Sequence, residues 1–365
     1  MFAVGEVVGG KYRVERILGA GGMGVVVAAR HLELGHRVAL KFILPEGLED
    51  PATVERFARE ARATAGLESE HAVRVQDVGR LKDGAPYLVM EYLEGEDLGS
   101  LLERTGSMPF REAVDLVLQA MDAIAEAHGI GVVHRDIKPR NLFLTRRRDG
   151  RRLVKVLDFG LAKTLRATDM KLTATSSVMG SPHYMSPEQM RGAKDVGFKT
   201  DVWALGVCLY ELIAGQVPFT GSSMPVLCTA VLTQVPPPLD VVRPEVPPEL
   251  ARAVDRCLEK TPELRMESVA ELARALEPFG TDASEGMALR IEANLTSGPV
   301  ITDISDKATT IRLPDASRTA AAWESDGASR RRTRGIAIGV AGGMAAASLI
   351  LLVFIARSVS TPARD

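Results

Sequence analysis

The spacing of apolar positions changes along the chain, and each change marks a predicted element. VVVAA at 25–29 and VALKFI at 38–43 are short runs of β-branched and other apolar residues on either side of Gly35. Such runs about a turn predict two antiparallel strands. Further along, 52–67 repeats apolar residues at helical spacing, which predicts one amphipathic helix.

The composition changes near residue 280. Before it, apolar and charged residues are mixed throughout. Residues 280–334 are rich in Ser, Thr, Asp, Ala and Gly and poor in large apolar residues, which is typical of a flexible linker. Residues 335–356, GIAIGVAGGMAAASLILLVFIA, contain no charge. As a helix this run would extend about 33 Å, long enough for a hydrocarbon core of about 30 Å.

The charges beside the apolar run predict its orientation. RRRTR at 330–334 precedes it, while the tail 357–365 carries only two arginines. The positive-inside rule therefore predicts a single transmembrane helix in the cell (plasma) membrane, with the preceding residues cytoplasmic and the tail extracytoplasmic. A buried Ala/Gly-rich core helix is the alternative interpretation.

The bulk composition is that of a globular protein, with 46% hydrophobic and 25% charged residues. A net charge of −2 gives no reason to expect nucleic-acid binding. Cys208, Cys228 and Cys257 are widely spaced, which suggests neither a disulfide framework nor a zinc site. The N-terminal residues show no signal-peptide pattern.

A glycine-rich loop lies before the first predicted strand. Gly19, Gly21 and Gly24 follow the pattern G-x-G-x-x-G, with Val26 two residues later. Dinucleotide-binding folds use the same glycine spacing but require a helix directly afterwards. Here a predicted hairpin follows, so the loop would join two strands and let the backbone approach phosphate oxygens.

A lysine inside an apolar strand needs an explanation. Lys41 lies within VALKFI and is either an edge residue facing water or a buried charge with a partner. The predicted helix 52–67 offers Glu60 beside the face formed by Phe57, Ala61 and Thr64. A Lys41–Glu60 pair would hold the ammonium toward the phosphates of a nucleotide.

Two later motifs concentrate polar chemistry. HRDIKPRN at 134–141 contains a carboxylate, an ammonium and an amide within six residues, and VKVLDFG at 154–160 ends an apolar strand on Asp158. A carboxylate at the end of a strand suits a hard, oxygen-seeking cation. Each motif alone is also typical of an ordinary loop.

Taken together, the ordered motifs GxGxxGxV, VALK, HRDIKPRN, DFG and SPE resemble those of the eukaryotic-like (Hanks-type) Ser/Thr protein kinases, in their membrane-anchored bacterial branch. The resemblance covers residues 10–279. It implies an α+β, two-lobed fold: an antiparallel five-stranded N-lobe with one helix, and a mainly helical C-lobe.

The resemblance also implies roles for individual residues. Asp136 would accept the proton of the attacking hydroxyl, and Lys138 would balance charge on the γ-phosphate. Asn141 and Asp158 would bind Mg²⁺, with Mn²⁺ as the alternative cation. The residues implied to contact or position ATP are Leu18, Gly19, Gly21, Gly24, Val26, Ala39, Lys41, Glu60, Met90, Glu91, Leu93 and Leu144.

The same resemblance addresses substrates and control. Lys138 favours Ser/Thr hydroxyls of protein substrates, and Ser181 would contact Asp136 and Lys138. Glu188 would pair with Arg265. We predict activation by autophosphorylation within 168–177, at Thr173 or Thr175, because a phosphate there could pair with Arg135. An unmodified Ser/Thr-rich loop is the alternative.

Several further interpretations stay open. Gly335, Gly339, Gly343 and Ala347 form a stripe that would permit helix dimerisation, or reflect simple Ala/Gly richness. Thr309 and Thr310 could recruit a phosphothreonine-reading partner.

The arginine-rich segment 145–152 predicts a strand–turn–strand with its turn at Asp149–Gly150. It is either a solvated hairpin or a docking patch for acidic partners. For the whole chain, the alternative to an active enzyme is a membrane-tethered pseudokinase scaffold. A kinase for small molecules is disfavoured by GSPHYMSPE at 180–188, which resembles a peptide-binding platform.

Overall fold

The computed structural model describes residues 3–21, 24–43, 61, 64–81, 83–159, 181–192 and 196–297. They form a sheet-containing N-lobe (described residues up to 91) and a mainly helical C-lobe (described residues from 96 onward). This architecture agrees with the two-lobed, α+β fold expected from the sequence.

The N-lobe is built on one antiparallel sheet of order β1-β2-β3-β4-β6-β5. Its strands are β1 Val7–Val8, β2 Tyr12–Gly21, β3 Gly24–His31, β4 Arg37–Ile43, β5 Val75–Arg80 and β6 Pro86–Glu91. The prediction of five strands was wrong by one. Gly9 and Gly10 adopt positive φ angles of 56° and 71° and return the two-residue β1 onto β2.

Strand alternation divides the N-lobe into two apolar clusters. In β4, Val38, Leu40 and Phe42 face an outer cluster that includes Tyr12 and Tyr87. Ala39 and Ile43 face the opposite cluster. Because side chains alternate along a strand, Lys41 must also face that second side, which is turned toward the C-lobe.

The predicted N-lobe helix falls largely outside the described residues. Ala61 and Thr64 lie in helical segments and are buried, at 3% and 6% exposure. Both were placed on the buried face by the sequence pattern. Phe57 and Glu60 lie outside the described residues.

The C-lobe is organised around two long helices. The helices of the C-lobe are α1 Leu98–Thr105, α2 Phe110–Gly129, α3 Pro187–Met190, α4 Lys199–Ala214, α5 Met224–Thr233, α6 Leu239–Val242, α7 Pro248–Cys257, α8 Val269–Leu276 and α9 Met287–Thr296. Every residue of α4 from Thr200 to Tyr210 is buried. A helix buried on all sides forms the centre of a core, and other C-lobe helices pack around it.

A small second sheet lies where the lobes meet. Its strands are β7 Glu96–Asp97, β8 Leu142–Arg146 and β9 Arg152–Val156, in that order. The β8–β9 turn has Gly150 at a φ of 84°. The hairpin and its turn at Asp149–Gly150 are therefore confirmed.

Helix α9 corrects the predicted start of the linker at 280. Ala288 and Ile291 are buried against the C-lobe core, and the Arg290 guanidinium binds the carboxylate of Asp122 in α2 at 2.6 Å. The prediction was wrong for 280–297. Two buried apolar residues, together with the ion pairs of Arg290 with Asp122 and of Glu292 with Arg274, suffice to dock this helix. Composition alone, which registers large apolar residues, misses such a segment.

Within the described part of the chain, none of the helices is both long enough and apolar enough to cross a membrane. The rest of the predicted linker, the predicted transmembrane helix at 335–356 and the tail 357–365 lie outside the described residues.

Candidate functional site

The loop 134–141 is fixed to the C-lobe core by one buried carboxylate. Asp201, near the start of α4, is completely buried. It accepts hydrogen bonds from the backbone N–H groups of His134 and Arg135, each at 2.8 Å, and lies 2.8 Å from Nε2 of His128. Burial alone would raise the pKa of Asp201, but the hydrogen bond from His128 and the surrounding donors lower it overall. An ionised carboxylate thus anchors the loop.

Backbone strain accompanies this anchoring. Arg135 has a φ of 64°, which is uncommon for a residue with a side chain. Its carbonyl accepts a hydrogen bond from Nε2 of Gln189 at 3.0 Å, while its N–H is held by Asp201. Both peptide groups of Arg135 are therefore fixed, and the next residue is the proposed catalytic aspartate.

The three polar residues of the loop converge as predicted. Lys138 Nζ lies 2.8 Å from Asp136 Oδ2. Asn141 Nδ2 donates to the backbone oxygen of Asp136 at 2.7 Å and reaches Oδ2 at 3.2 Å. The side chains of Asp136 and Lys138 are each 21% exposed. The carboxylate is thus oriented by two donors and still accessible from the cleft.

Asp158 and Lys41 join the two lobes. Lys41 Nζ lies 2.8 Å from Asp158 Oδ1, with the lysine side chain 10% exposed and the aspartate 45% exposed. Asp158 has a φ of 51°, in the left-handed region that Asp tolerates better than most residues. Lys41 is therefore a buried charge with a partner. Its predicted pairing with Glu60 stays a prediction, because Glu60 lies outside the described residues.

An apolar surface lies beside this ion pair. Ala39 and Met90 are buried in one cluster, against which Val26 and Leu93 pack. All four were implied to surround adenine. Leu144 on β8 packs instead against the C-lobe cluster. The apolar residues that were predicted to contact adenine therefore come from both lobes.

Other implied nucleotide contacts are less enclosed. Leu18 is 38% exposed near the end of β2. Gly19 pairs with Val26 and Gly21 with Gly24, which makes the glycine loop the tip of a hairpin rather than the start of a helix. At Gly24 a Cβ atom would lie 2.0 Å from the Phe42 carbonyl oxygen, so only glycine fits there.

Glu91 performs a structural function that the sequence did not reveal. Its carboxylate lies 2.7 Å from Nζ of Lys155, which is buried, and accepts the backbone N–H of Arg74 at 2.8 Å. The pair ties the connection between the lobes to β9. Lys155, like Lys41, is a lysine within an apolar strand run, and that shared pattern was the available signal.

Below the cleft, one buried pair fixes the segment around α3. Arg265 binds both oxygens of Glu188 at 2.7 and 2.8 Å, and Thr200 Oγ1 donates to Glu188 at 3.0 Å. The predicted Glu188–Arg265 pair is confirmed. Thr173 and Thr175 lie outside the described residues, and the side chain of Ser181 is likewise not described.

Sequence reasoning missed several residues that support the site. Asp201 is one of them, and its partner His128 lies 73 positions before it in sequence. Tyr184 donates to Glu211 at 2.7 Å, and burial raises the pKa of both groups. No local pattern marks these long-range partners.

The arginine-rich hairpin is largely neutralised by its own protein. Arg147 binds Glu70 at 2.6 Å, Arg151 binds Asp149 at 2.6 Å, and Arg152 binds Glu112 at 2.5 Å. Arginines occupied in this way favour the solvated-hairpin interpretation over a docking patch.

The polar groups fit a divalent cation shared with phosphates. Asn141 uses its amide nitrogen on Asp136, which leaves its carbonyl oxygen as the donor for a cation. Asp158 has one oxygen on Lys41 and is half-exposed. No cluster of three or more His, Cys, Asp or Glu residues able to hold a metal occurs among the described residues. Two oxygen donors completed by substrate phosphates match the way Mg²⁺ is commonly bound.

Comparisons with known proteins agree with this geometry. A model of the protein kinase domain matches residues 12–275. Serine/threonine-protein kinase pkn3 of Myxococcus xanthus is 42% identical over 263 residues, which cover 71% of this chain and 48% of that protein. Serine/threonine-protein kinase PknA of Mycobacterium tuberculosis is 38% identical over 277 residues, covering 75% and 62% respectively.

The chain therefore spans roughly half the length of these two curated relatives. Among solved structures, the PknI kinase domain of Mycobacterium tuberculosis superposes with a TM-score of 0.60 at 29% identity. That match covers 77% of this chain and 100% of the solved one.

Proposed function

This chain belongs to the protein kinase domain family, in its bacterial Ser/Thr branch, and we propose that it transfers the γ-phosphoryl group of ATP to Ser and Thr hydroxyls of proteins. The observation that carries the proposal is the contact of Lys138 Nζ with Asp136 Oδ2 at 2.8 Å. It combines a proton acceptor with a cation at one accessible point of the cleft.

Asp136 acts on the attacking hydroxyl. Its carboxylate is oriented by Lys138 and Asn141, and it would accept the hydroxyl proton as the oxygen attacks phosphorus. The bond from phosphorus to the bridging oxygen of ADP breaks as the new bond forms. Lys138 balances negative charge on the transferred group. Positioning and charge stabilisation provide the acceleration, without a covalent intermediate on the protein.

Lys41, Asp158 and Asn141 hold the phosphates. Lys41 would bind the α- and β-phosphates from the N-lobe side, while Asp158 and Asn141 would hold Mg²⁺, with Mn²⁺ as a possible substitute. The bound cation neutralises charge on the phosphates. Ala39, Val26, Met90 and Leu93 would cover the adenine.

The rival function is that of a pseudokinase scaffold, which binds nucleotide or partners without catalysis. Pseudokinases typically lack one of the groups that hold phosphate or accept the proton. Here Lys41, Asp136, Asn141 and Asp158 are all present. Two backbone hydrogen bonds to Asp201 hold the loop 134–141 that carries Asp136 and Asn141. An inactive scaffold has no need of these groups.

The test uses the full chain in lipid with Mg²⁺ and γ-labelled ATP, beside Asp136→Asn as the matched inactive variant. We expect label on Ser and Thr of the kinase itself and of an added basic acceptor such as myelin basic protein. Asn has nearly the same size and shape as Asp but cannot accept the proton. Labelling should therefore fall by at least about 100-fold.

Two outcomes would argue against the proposal. Equal labelling of wild type and Asp136→Asn would show that Asp136 is not the proton acceptor. Nucleotide binding without labelling of either protein would favour the scaffold.

We propose further that activation proceeds by autophosphorylation at Thr173 or Thr175. Supporting this, Nε of Arg135 is buried without a hydrogen-bond partner in the described part of the chain, and one guanidinium nitrogen makes only a 3.3 Å contact with the carbonyl of Val196. A phosphate would supply the missing acceptor. Mass spectrometric mapping of fully active enzyme should find phosphate within 168–177, and unmodified active enzyme would contradict the idea.

Membrane anchoring is proposed from the sequence pattern. The uncharged run 335–356 and the arginines at 330–334 support one transmembrane helix with a cytoplasmic kinase domain. Extraction of membranes with alkaline carbonate should leave the full chain in the pellet. Release into the supernatant would contradict the anchor.

A dimer through the small-residue stripe and a phosphothreonine-reading partner at Thr309 or Thr310 are extensions of this proposal. Gly339→Ile should weaken self-association in a membrane two-hybrid assay, because a branched side chain prevents close helix approach. Unchanged association would leave the stripe as mere Ala/Gly richness.

A further inference from the structure

Helix α9 lies beyond the region that the kinase domain model matches, which ends at residue 275. Its apolar contacts are modest, with Ala288 and Ile291 as its buried residues. Its polar contacts are more specific. Arg290 and Asn294 project toward one point on α2, where a single buried carboxylate receives both.

Asp122 is that carboxylate, and it is 1% exposed. Arg290 binds its two oxygens at 2.6 and 3.0 Å, and Asn294 Nδ2 donates to it at 3.0 Å. Burial alone would raise the pKa of Asp122, but the hydrogen bond from Arg290 and that from Ser69 lower it overall. The site is thus an ion pair between a buried carboxylate on α2 and a partly exposed guanidinium on α9.

The same carboxylate holds the segment 68–73. Ser69 Oγ donates to Asp122 at 2.5 Å. The backbone N–H groups of Glu68 and Ser69 donate to Glu126 at 2.7 and 2.8 Å. Arg290 also reaches Glu70 at 3.5 Å. Side chains of helices α2 and α9 therefore both bind the same face of this segment.

The other face of the segment is bonded to β9. The Val156 N–H donates to the His71 carbonyl at 2.7 Å, and the Val73 N–H donates to the Val156 carbonyl at 3.1 Å. Nδ1 of His71 lies 2.9 Å from the Val154 carbonyl, and Lys155 Nζ donates to the Ala72 carbonyl at 3.2 Å. Four hydrogen bonds thus fix β9 to this segment, and the opposite face of the segment contacts helices α2 and α9.

β9 ends two residues before Asp158, and the intervening Leu157 donates its N–H to the Asn141 carbonyl at 2.8 Å. Both proposed cation ligands therefore depend on where β9 lies. The segment 68–73 connects β9 with Asp122, because Ser69 binds Asp122. Arg290 binds the same carboxylate from helix α9.

We propose that Arg290 is a positioning residue for phosphoryl transfer, which sets Asp158 through Asp122, the segment 68–73 and β9. The inference rests on the proposed function and adds a residue outside the matched domain. It implies that residues 280–297 belong to the working kinase and that whatever displaces α9 lowers activity.

The test compares variants of the full chain in lipid. Arg290→Ala removes the guanidinium, and Arg290→Lys keeps the charge while losing the two-pronged contact. Arg274→Ala is the matched control. Arg274 on α8 binds Glu292 of helix α9 at 2.8 Å and forms no hydrogen bond or ion pair with the described segment 68–73. Each is assayed for the Mg²⁺ concentration at half-maximal rate, for kcat/KM with ATP and for amide exchange.

We expect Arg290→Ala to lower kcat/KM about tenfold and to raise the Mg²⁺ requirement, in the range of couplings through contiguous packed networks. Exchange of the Val73 and Val156 amides should accelerate in the same protein. Arg290→Lys should lie between Ala and wild type, and it replaces Ala as the deciding variant if the Ala protein fails to fold. Arg274→Ala should resemble wild type in all three measurements.

Equal effects of Arg290→Ala and Arg274→Ala would overturn the proposal, because helix docking alone would then explain them. Unchanged Mg²⁺ requirement and unchanged exchange at Val156 in Arg290→Ala would also overturn it. If wild type has no kinase activity, the proposed function fails, and the exchange measurement still decides whether Arg290 holds β9.

Discussion

The two lobes anchor their proposed catalytic groups in different ways. The C-lobe has one extended apolar core, and from within it Asp201 holds the loop that carries Asp136. The N-lobe has two small clusters on opposite faces of a sheet, and Lys41 extends from the smaller one. Between the lobes, the pair Lys41–Asp158 joins a buried cation to a half-exposed carboxylate.

This difference indicates which parts of the reaction need fixed geometry. The proton acceptance proposed for Asp136 is sensitive to displacements of about 1 Å. The backbone that leads into Asp136 is fixed by two hydrogen bonds to the buried Asp201. The phosphate contacts proposed for Lys41 would involve a flexible, charged side chain, which tolerates small movements of the sheet. Variants in each lobe can test this division.

The largest effect on folding is expected from Arg265→Met. The change leaves the Glu188 carboxylate buried without its partner, which typically costs about 3–5 kcal/mol. Urea unfolding would measure the loss in free energy. The double variant Glu188→Gln/Arg265→Met should be more stable than the sum of the single changes predicts. Simple additivity would show that the pair is not coupled.

Lys41→Met should affect the reaction rather than folding. Loss of a cation that binds the phosphates is expected to lower kcat/KM by about 10²–10³-fold, by analogy with removal of a single oxyanion donor. Asp158 stays half-solvated, so the free energy of unfolding should change by less than about 1 kcal/mol. A large loss of stability would contradict the division between the lobes.

Asp201→Asn should affect both stability and rate. Asn places an amide where two backbone N–H groups need acceptors, which should cost about 1–3 kcal/mol of stability. The release of loop 134–141 should lower kcat as well. If this variant had wild-type stability and activity, Asp201 would not be needed to anchor the loop 134–141.

The same variant gives a test by pH. Since the pKa of Asp201 is lowered on folding from its ordinary value of 3.8, its contribution is fully present above that pH. It is lost as the pH falls further, through the folded pKa. The stability difference between wild type and Asp201→Asn should therefore stay constant down to about pH 4.5 and narrow below it. A difference that disappears near neutral pH would indicate another titrating group.

The smallest effect is expected from Arg30→Ala in the N-lobe. Arg30 binds Glu15 at 2.7 Å, but its side chain is 47% exposed. Exposed ion pairs contribute about 0–1 kcal/mol, and Arg37 remains as a second partner for Glu15 at 2.9 Å. Urea unfolding should barely distinguish this variant from wild type, whereas a loss comparable with Arg265→Met would make both lobes equally dependent on charge pairs.

Sequence patterns predicted the strands and turns that depend on neighbouring residues. The apolar runs on either side of Gly35 predicted the antiparallel pair β3–β4, and Asp149–Gly150 marked the turn between β8 and β9. Family resemblance supplied the Glu188–Arg265 pair, which no local rule could give because 77 positions separate the residues. These successes depend on short-range chemistry or on a recognised motif.

The remaining contacts are long-range and have weak local signals. Nothing near His128 indicates that it meets Asp201, and Asp122 reads as an ordinary helical carboxylate. Helix α9 was missed because its partner α2 offers a close-fitting surface with one charge, so few large apolar residues are needed. Such complementarity belongs to two surfaces together and cannot be read from either sequence segment alone.

The left-handed backbone at Asp158 has an evolutionary consequence. Asp and Asn are among the few non-glycine residues that adopt this conformation readily. Replacement by Asn would preserve the turn while removing the negative charge that a cation requires. Selection for folding would therefore not oppose it, in contrast to changes at the buried Asp201. A lineage that no longer needed catalysis could become a binding-only descendant through this position first.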